Sequence, residues 1–167
     1  VSRYDFASGK RYYSGNRCER VFTNGEGGKR AANVYEQKNR LLFGRAEKTV
    51  PAPRLTVGLP RCLNMYEDFP FWHTLLTACG FQVVLSEVSD FGHYESCARM
   101  VMSDNICFPA KLVHSHIQDL IEKKVDRIFM PFVIFGRKGR EEQNSYNCPI
   151  VTGYSEVIKS VQGHSVP

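Results

Sequence analysis

The stretch Asn105–Pro131, NICFPAKLVHSHIQDLIEKKVDRIFMP, constrains the fold more than any other part of the chain. It sets a helical period directly before a short apolar run. Pro109 stands where a first-turn proline belongs, because the N–H it lacks has no intrahelical partner there. Val113, Ile117, Leu120, Ile121 and Lys124 follow at helical spacing and predict one apolar stripe, with the Lys124 stem extending it. Lys123 and Lys124 suit the negative end of the helix dipole. The run from Ile128 to Ile134 then reads as a strand over 127–134, buried on both faces. A chain that passes from strand to helix to strand in this way makes a right-handed crossover and a parallel pair.

The same alternation recurs upstream. Leu55–Leu59 reads as a strand, followed by the loop Pro60–Asn64. A helix is predicted from about Asp68 to Cys79, with Pro70 in its first turn, Gly80 as its stop, and Phe71, Leu75, Leu76 and Cys79 on its buried face. Phe81–Leu85 is the next strand, and a shorter helix covers about Tyr94 to Met102. Beyond the central stretch, Gly136–Asn147 is a polar loop, Cys148–Val151 reads as a short final strand, and Tyr154–Gln162 as a closing helix. The expectation is an α/β domain over 54–163 with a tail at 164–167. Its sheet is open, three-layered, doubly wound and mainly parallel, flavodoxin-like or Rossmann-like. Ligands of such sheets bind beyond the carboxyl ends of the strands. The loops 60–64, 86–92 and 131–137 and the start of the last helix are therefore expected to share a functional edge.

Residues 1–53 form an N-terminal arm. It holds a hairpin within Tyr4–Tyr13 turning at Gly9-Lys10, a turn at Ser14–Glu19 and a flexible loop at Thr23–Gly28. A helix capped by Asn33 follows from Val34 to Phe43, with Gly44 as its stop, and Pro51–Pro53 is an extended linker. The loop TNGEGG is no phosphate loop, since Lys29 is followed by Arg30 rather than Ser or Thr, and Arg30 also breaks GxGxxG.

Composition narrows the function. A chain of 167 residues carries one good-sized core. A net charge of +5 does not by itself imply nucleic acid, and no run approaches a membrane span. The first residue is not methionine, so the chain reads as a piece of a longer protein. Six cysteines, Cys18, Cys62, Cys79, Cys97, Cys107 and Cys148, include no CxxC pair, which argues against a zinc knuckle or thioredoxin motif and suits a reducing cytoplasm. Cys107 lies just ahead of the central helix, where the orphan N–H groups favour a thiolate. The alternative for a lone cysteine is a small buried hydrophobe. His114 and His116 are two apart on a helix and point to different faces, which argues against a metal pair. His73 reads as a packing residue, Glu67 and Asp68 as first-turn charges, and Lys111 as a surface lysine.

The blocks GLPRCLNMYEDFPFWHTLLTACGFQVVLS, ICFPAKLVHSHIQDLIEKKVDRIFMPFV and YNCPIVTGYSEVI resemble the uncharacterised domain of large CoA enzyme activase proteins. That family is related to 2-hydroxyglutaryl-CoA dehydratase and its activator. The segment YYSGNRCER resembles the stretch just ahead of that domain. The resemblance implies a parent protein with ATP-hydrolysing activase modules and dehydratase-like regions, each holding a [4Fe–4S] cluster. A single electron passed between them starts radical removal of water from a 2-hydroxyacyl-CoA. No nucleotide site is expected in this chain. Cys18, Cys107 and Cys148 stand in the matching blocks and are the implied metal ligands. Relatives often carry a proline–cysteine pair where this chain has Pro131-Phe132, so three thiolates and an open iron, or a lost cluster, are both implied. The expected partners are the other domains of the parent protein and acyl-CoA, with no nucleic acid and no membrane. The alternatives are a non-catalytic α/β scaffold without a cluster, and a flavodoxin-like binder of a small phosphate ligand.

Overall fold

A sheet of three short parallel strands carries the larger unit of the computed structural model, which describes residues 2–15, 32–44 and 49–163. The chain divides into two compact units, 1–36 and 37–167. In the first, β1 (Ser2–Asp5) and β2 (Arg11–Ser14) form the expected hairpin, with Ser2 opposite Ser14 and Gly9 in the turn at φ 75°. Helix α1 (Val34–Phe43) starts where Asn33 Oδ1 accepts from the Tyr35 and Glu36 N–H groups at 3.1 and 3.4 Å, and it ends at Gly44 as expected. Cys18, the turn ending at Glu19, the loop Thr23–Gly28 and the tail 164–167 lie outside the described residues. The Pro51–Pro53 stretch is not evenly extended, because Ala52 turns into the left-handed region at φ 48°.

In the second unit β3 (Thr56–Leu59) is central, with β4 (Gln82–Leu85) on one side and β5 (Arg127–Ile128) on the other, all parallel. This is the open Rossmann-like α/β arrangement expected, with helices flanking the sheet. Helix α2 (Met65–Ala78) begins three residues earlier than the spacing suggested and turns a different face inward. Met65 and Phe69 are buried, and Trp72 and Leu76 pack beside them, whereas Phe71 is 61% exposed, Leu75 is exposed and so is Cys79. Pro70 sits in the second turn rather than the first. Gly80 ends the helix as expected, at φ 85°, with its N–H on Thr77 O at 3.0 Å and the Phe81 N–H on Leu76 O at 3.1 Å.

Helix α3 (Phe91–Cys97) is capped by Asp90 and runs into a short 3-10 turn at Ala98–Met100. Helix α4 (Phe108–Glu122) is the central element. Ala110, Val113, His114, Ser115, His116, Ile117 and Leu120 are all buried, so it is enclosed on most sides rather than along one stripe. Lys124 is not part of it. At φ 54° it forms the left-handed residue of the C-terminal cap, with its N–H on Ile121 O and the Val125 N–H on Leu120 O. That cap folds Val125 and Leu120 together over Gly58, where an added Cβ would lie 3.0 Å from each.

Two expectations fail beyond this point. The run 127–134 pairs only at Arg127 and Ile128, with one further bond from the Phe129 N–H to Gly58 O at 2.9 Å. Pro131 cannot donate to a ladder, and Phe132, Ile134 and Phe135 stand exposed beyond it, so this is an edge strand and not one buried on both faces. Cys148–Val151 is not a strand. Cys148 is extended at ψ 154° and caps α5 (Pro149–Gln162), with Pro149 as its first residue. Between them the polar loop folds back on itself through a Phe135–Tyr146 bridge, with the Gly136 N–H on Ser145 O at 2.7 Å and the Asn147 N–H on Ile134 O at 2.9 Å.

The outer edge of β4 is closed by side chains. Gln82 and Ser86 donate their N–H groups to Leu55, just before β3, and Leu59, its last residue, so alternation points the N–H and C=O groups of Val83 and Leu85 to the outer edge. Gln82 Nε2 reaches Val83 O at 3.3 Å and Lys123 Nζ reaches Leu85 O at 3.0 Å. A lysine laid across an open edge hinders strand addition there. No helix among the described residues is long and apolar enough to cross a membrane.

Candidate functional site

Strands of four residues reach about 13 Å, whereas the 15 residues of α4 reach about 22 Å. Leu120 lies over Gly58 in the middle of β3, and His116 meets Ser86 just past the end of β4. The first two turns of α4 therefore overhang the carboxyl edge of the sheet. Helix α5 runs beside α4 in the same direction. Ile106 lines one cavity with Pro149 and Ile150, His114 meets Tyr154, and Ile117 lies with Ile158 at the other end. The starts of both helices thus share the carboxyl edge, and each is capped by a cysteine, Cys107 and Cys148, in extended conformation, exposed and free. Cys18, the third cysteine singled out, falls outside the described residues. Cys62 and Cys97 are buried. Burial pushes the Cys62 thiol up to about 12. Among the described residues, no group of three or more His, Cys, Asp or Glu side chains stands together in a way that would hold a metal ion.

The two histidines do point to different faces. His114 Nε2 pairs with the Tyr154 hydroxyl at 3.0 Å, while its Nδ1 is buried with no partner in the structure. Burial lowers the pKa of His114. Tyr154 is raised by burial first and then by the nearby charge of Cys107. On the other side, His116 Nδ1 meets Ser86 Oγ at 2.9 Å and Nε2 meets Ser89 Oγ at 2.8 Å. Ser86 Oγ also accepts from the Arg61 N–H at 2.7 Å, which ties the loops after β3 and β4 to α4. Burial, and then the positive charge of Arg61, push His116 down to about 4, so the ring is neutral near pH 7.

Arg61 stands at the first turn of the loop after β3, with its guanidinium 4.3 Å over the Phe43 ring. Desolvation lowers its pKa, although the charge of Glu87 opposes this. Lys123 collects Asp119 at 3.0 Å and Glu87 at 2.8 Å, and Asp119 also accepts from the Glu87 N–H at 3.0 Å. Glu67 pairs with Lys38. Lys111 tethers the loop before α4 through Asp104 O at 2.8 Å. His73 packs against Phe69, with ring centroids 5.3 Å apart, in keeping with a packing role.

Arg61, Ser86, Ser89 and Tyr154 escaped the reading of the sequence. A signal existed for three of them. Arg61 follows Leu59-Pro60, Ser86 follows Leu85 at once and Ser89 comes three residues later, so each is a polar residue in the loop at the carboxyl end of an apolar strand. Tyr154 had no such mark.

An open parallel α/β domain with two cysteine-capped helix starts, a buried histidine and an arginine past the carboxyl edge is the class that fold and site together define. The chain belongs to the CoA enzyme activase uncharacterised domain family, whose model matches residues 56–166. No curated protein and no solved structure matches it significantly.

Proposed function

We propose that this domain is an iron–sulfur-associated part of an acyl-CoA dehydratase/activase-like protein, with Cys18, Cys107 and Cys148 as thiolate ligands of a [4Fe–4S] cluster. The observation that carries the reading is the pair of exposed, free thiols that cap two helices running side by side in one direction. The donor chemistry fits, because soft thiolates are what such clusters take, and Cys18 supplies a third from outside the described residues. When bound, a cluster of this kind supplies single-electron transfer, here towards removal of water from a 2-hydroxyacyl-CoA. The residues of this chain do the rest. The starts of α4 and α5 present positive dipole ends to negative charge. Tyr154, buried and held by His114, lies near enough to Cys107 to feel its charge. The partners in this reading are the activase and dehydratase-like domains of the parent protein, in the cytoplasm, and acyl-CoA.

Anaerobic reconstitution with iron and sulfide, followed by metal and sulfide analysis, tests this. Bound iron with visible thiolate-to-iron absorbance, lost in Cys107→Ser and Cys148→Ser, is the expected result. A second reading is a docking scaffold without a cluster. It rests on the family match, which makes this chain a domain of a CoA enzyme activase protein. A colourless preparation that binds the other domains of the parent protein selects that reading and ends the first.

A further inference from the structure

Two helices adjoin β5 in the chain, α4 before it and α5 after it, and both lie on one face of the sheet. Ile128 and Met130 turn to that face with Ile117 and Ile158, whereas Phe129 packs with Phe69 and Trp72 of α2 on the other. The path from β3 through α2 steps to β4, and the path from β4 through α4 steps back across β3 to β5. Opposite steps with helices on opposite faces have the same hand, which for parallel strands is the right hand. Helix α5 shares the face of α4. The same hand therefore carries the chain that follows α5 onward in the direction of the second step, to the outer side of β5.

That outer side is open. Ile128 stands opposite Gly58, and the Phe129 N–H donates to Gly58 O at 2.9 Å, so alternation points the N–H and C=O groups of Ile128 and Met130 away from β3. Among the described residues these four groups have no hydrogen-bond partner, although both residues are half-buried. Backbone groups in such a place are ordinarily paired. Between this edge and α5 lies a cavity of about 230 Å3, walled by Ile117, Met130, Pro131, Phe132 and Ile158. Ser155 Oγ, also on the lining, is buried without a partner. The volume falls below the roughly 300 Å3 at which small-molecule clefts begin, and suits the side chains of a covering segment better than a separate ligand. We infer that the outer edge of β5 takes a fourth parallel strand, supplied by the stretch of the parent protein that follows α5, with apolar side chains seated in this cavity. Main-chain pairing holds such a strand and the cavity selects its inward residues. Pro131, which lacks an N–H, confines the pairing to Ile128 and Met130. No cysteine takes part, so the edge stands whether or not a cluster binds.

The test compares this chain with the same chain extended by about 20 residues of the parent protein, enough for a connection of about 2–6 residues and a strand of about 5–6. Amide hydrogen exchange read by NMR is expected to slow about a hundredfold or more at Ile128 and Met130 in the extended chain, with cross-strand NOEs in parallel register. Ser155→Leu fills the cavity and is expected to return the exchange of both amides towards that of the unextended chain, with the unextended Ser155→Leu chain as the folded control. Equal exchange in the extended and unextended chains overturns the inference, and so does an antiparallel register. Protection unchanged in a folded, extended Ser155→Leu chain overturns the seating of side chains in the cavity. Protection of Ile128 that appears in the unextended chain as it dimerises gives the edge to a second copy and overturns the assignment to the following stretch.

Discussion

Cys62 sits in the same core as Val113 and Ile117, and burial holds its thiol up at about 12. An ordinary thiol lies at 9.0, so Cys62 forms about a thousandth as much thiolate at neutral pH. Cys107 and Cys148 are exposed. Timed alkylation read by mass spectrometry is therefore expected to label Cys107 and Cys148 first, and Cys62 only when the protein unfolds. Cys79 joins the accessible group, contrary to its expected burial, because the packing of Met65, Phe69, Trp72 and Leu76 sets the inward face of α2 and leaves Cys79 outside as the C-cap. His116 gives a second prediction. Unfolded, it takes a proton at about 6.5, while in the fold it does so only at about 4. The unfolded state thus binds more protons between these values, and stability falls as pH drops through that window and is fully present above it. The depressed His114 acts in the same direction. Arg61, Asp119 and His93 are the charged or titratable groups acting on His116. His116→Gln is expected to remove up to about 3 kcal/mol of this pH dependence, read from urea unfolding across the window.

At the scale of elements, the ends of helices decide the most. Lys124 holds a left-handed conformation at φ 54°, which costs a side-chain-bearing residue roughly 1–2 kcal/mol. Lys124→Gly is expected to stabilise by about 0.5–1 kcal/mol, after subtracting the greater freedom of glycine in the unfolded chain. Gly58 shows the opposite constraint. It is in the central strand, under Leu120 and Val125, and has no room for a side chain without moving them. Gly58→Val is expected to cost about 1–3 kcal/mol in chemical unfolding. Helix α1, its Asn33 cap and Gly44 stop were legible because each rests on local hydrogen bonds. The strand expected at Cys148–Val151 was not there. An extended residue followed by proline suits the entry to a helix as well as a strand, and only the packing of Tyr154 and Ile158 on α4 selects the helix.

For the molecule as a whole, the open sheet gathers the carboxyl ends of its strands and the starts of α4 and α5 on one side. The cluster reading makes one prediction at this scale. Phe132 stands at the position that reading assigns to a fourth ligand, and it is 51% exposed past the end of β5. In that reading Phe132→Cys supplies a fourth thiolate, and iron retained after anaerobic reconstitution is expected to rise above that of the parent chain. Equal retention in both would count against Phe132 filling a ligand position.

The order of apolar runs and helical periods was enough to determine a parallel α/β sheet, since short strands joined by helices close in one hand. It also placed Cys107 ahead of the central helix, because proline marks a first helical turn, but it put Cys148 inside a strand. Three-dimensional packing alone decided which of those elements were helices, which face of α2 is buried, and that Arg61, Ser86, Ser89 and His116 meet. Local spacing reports the period of an element, whereas its phase and its partners depend on residues far apart in the chain.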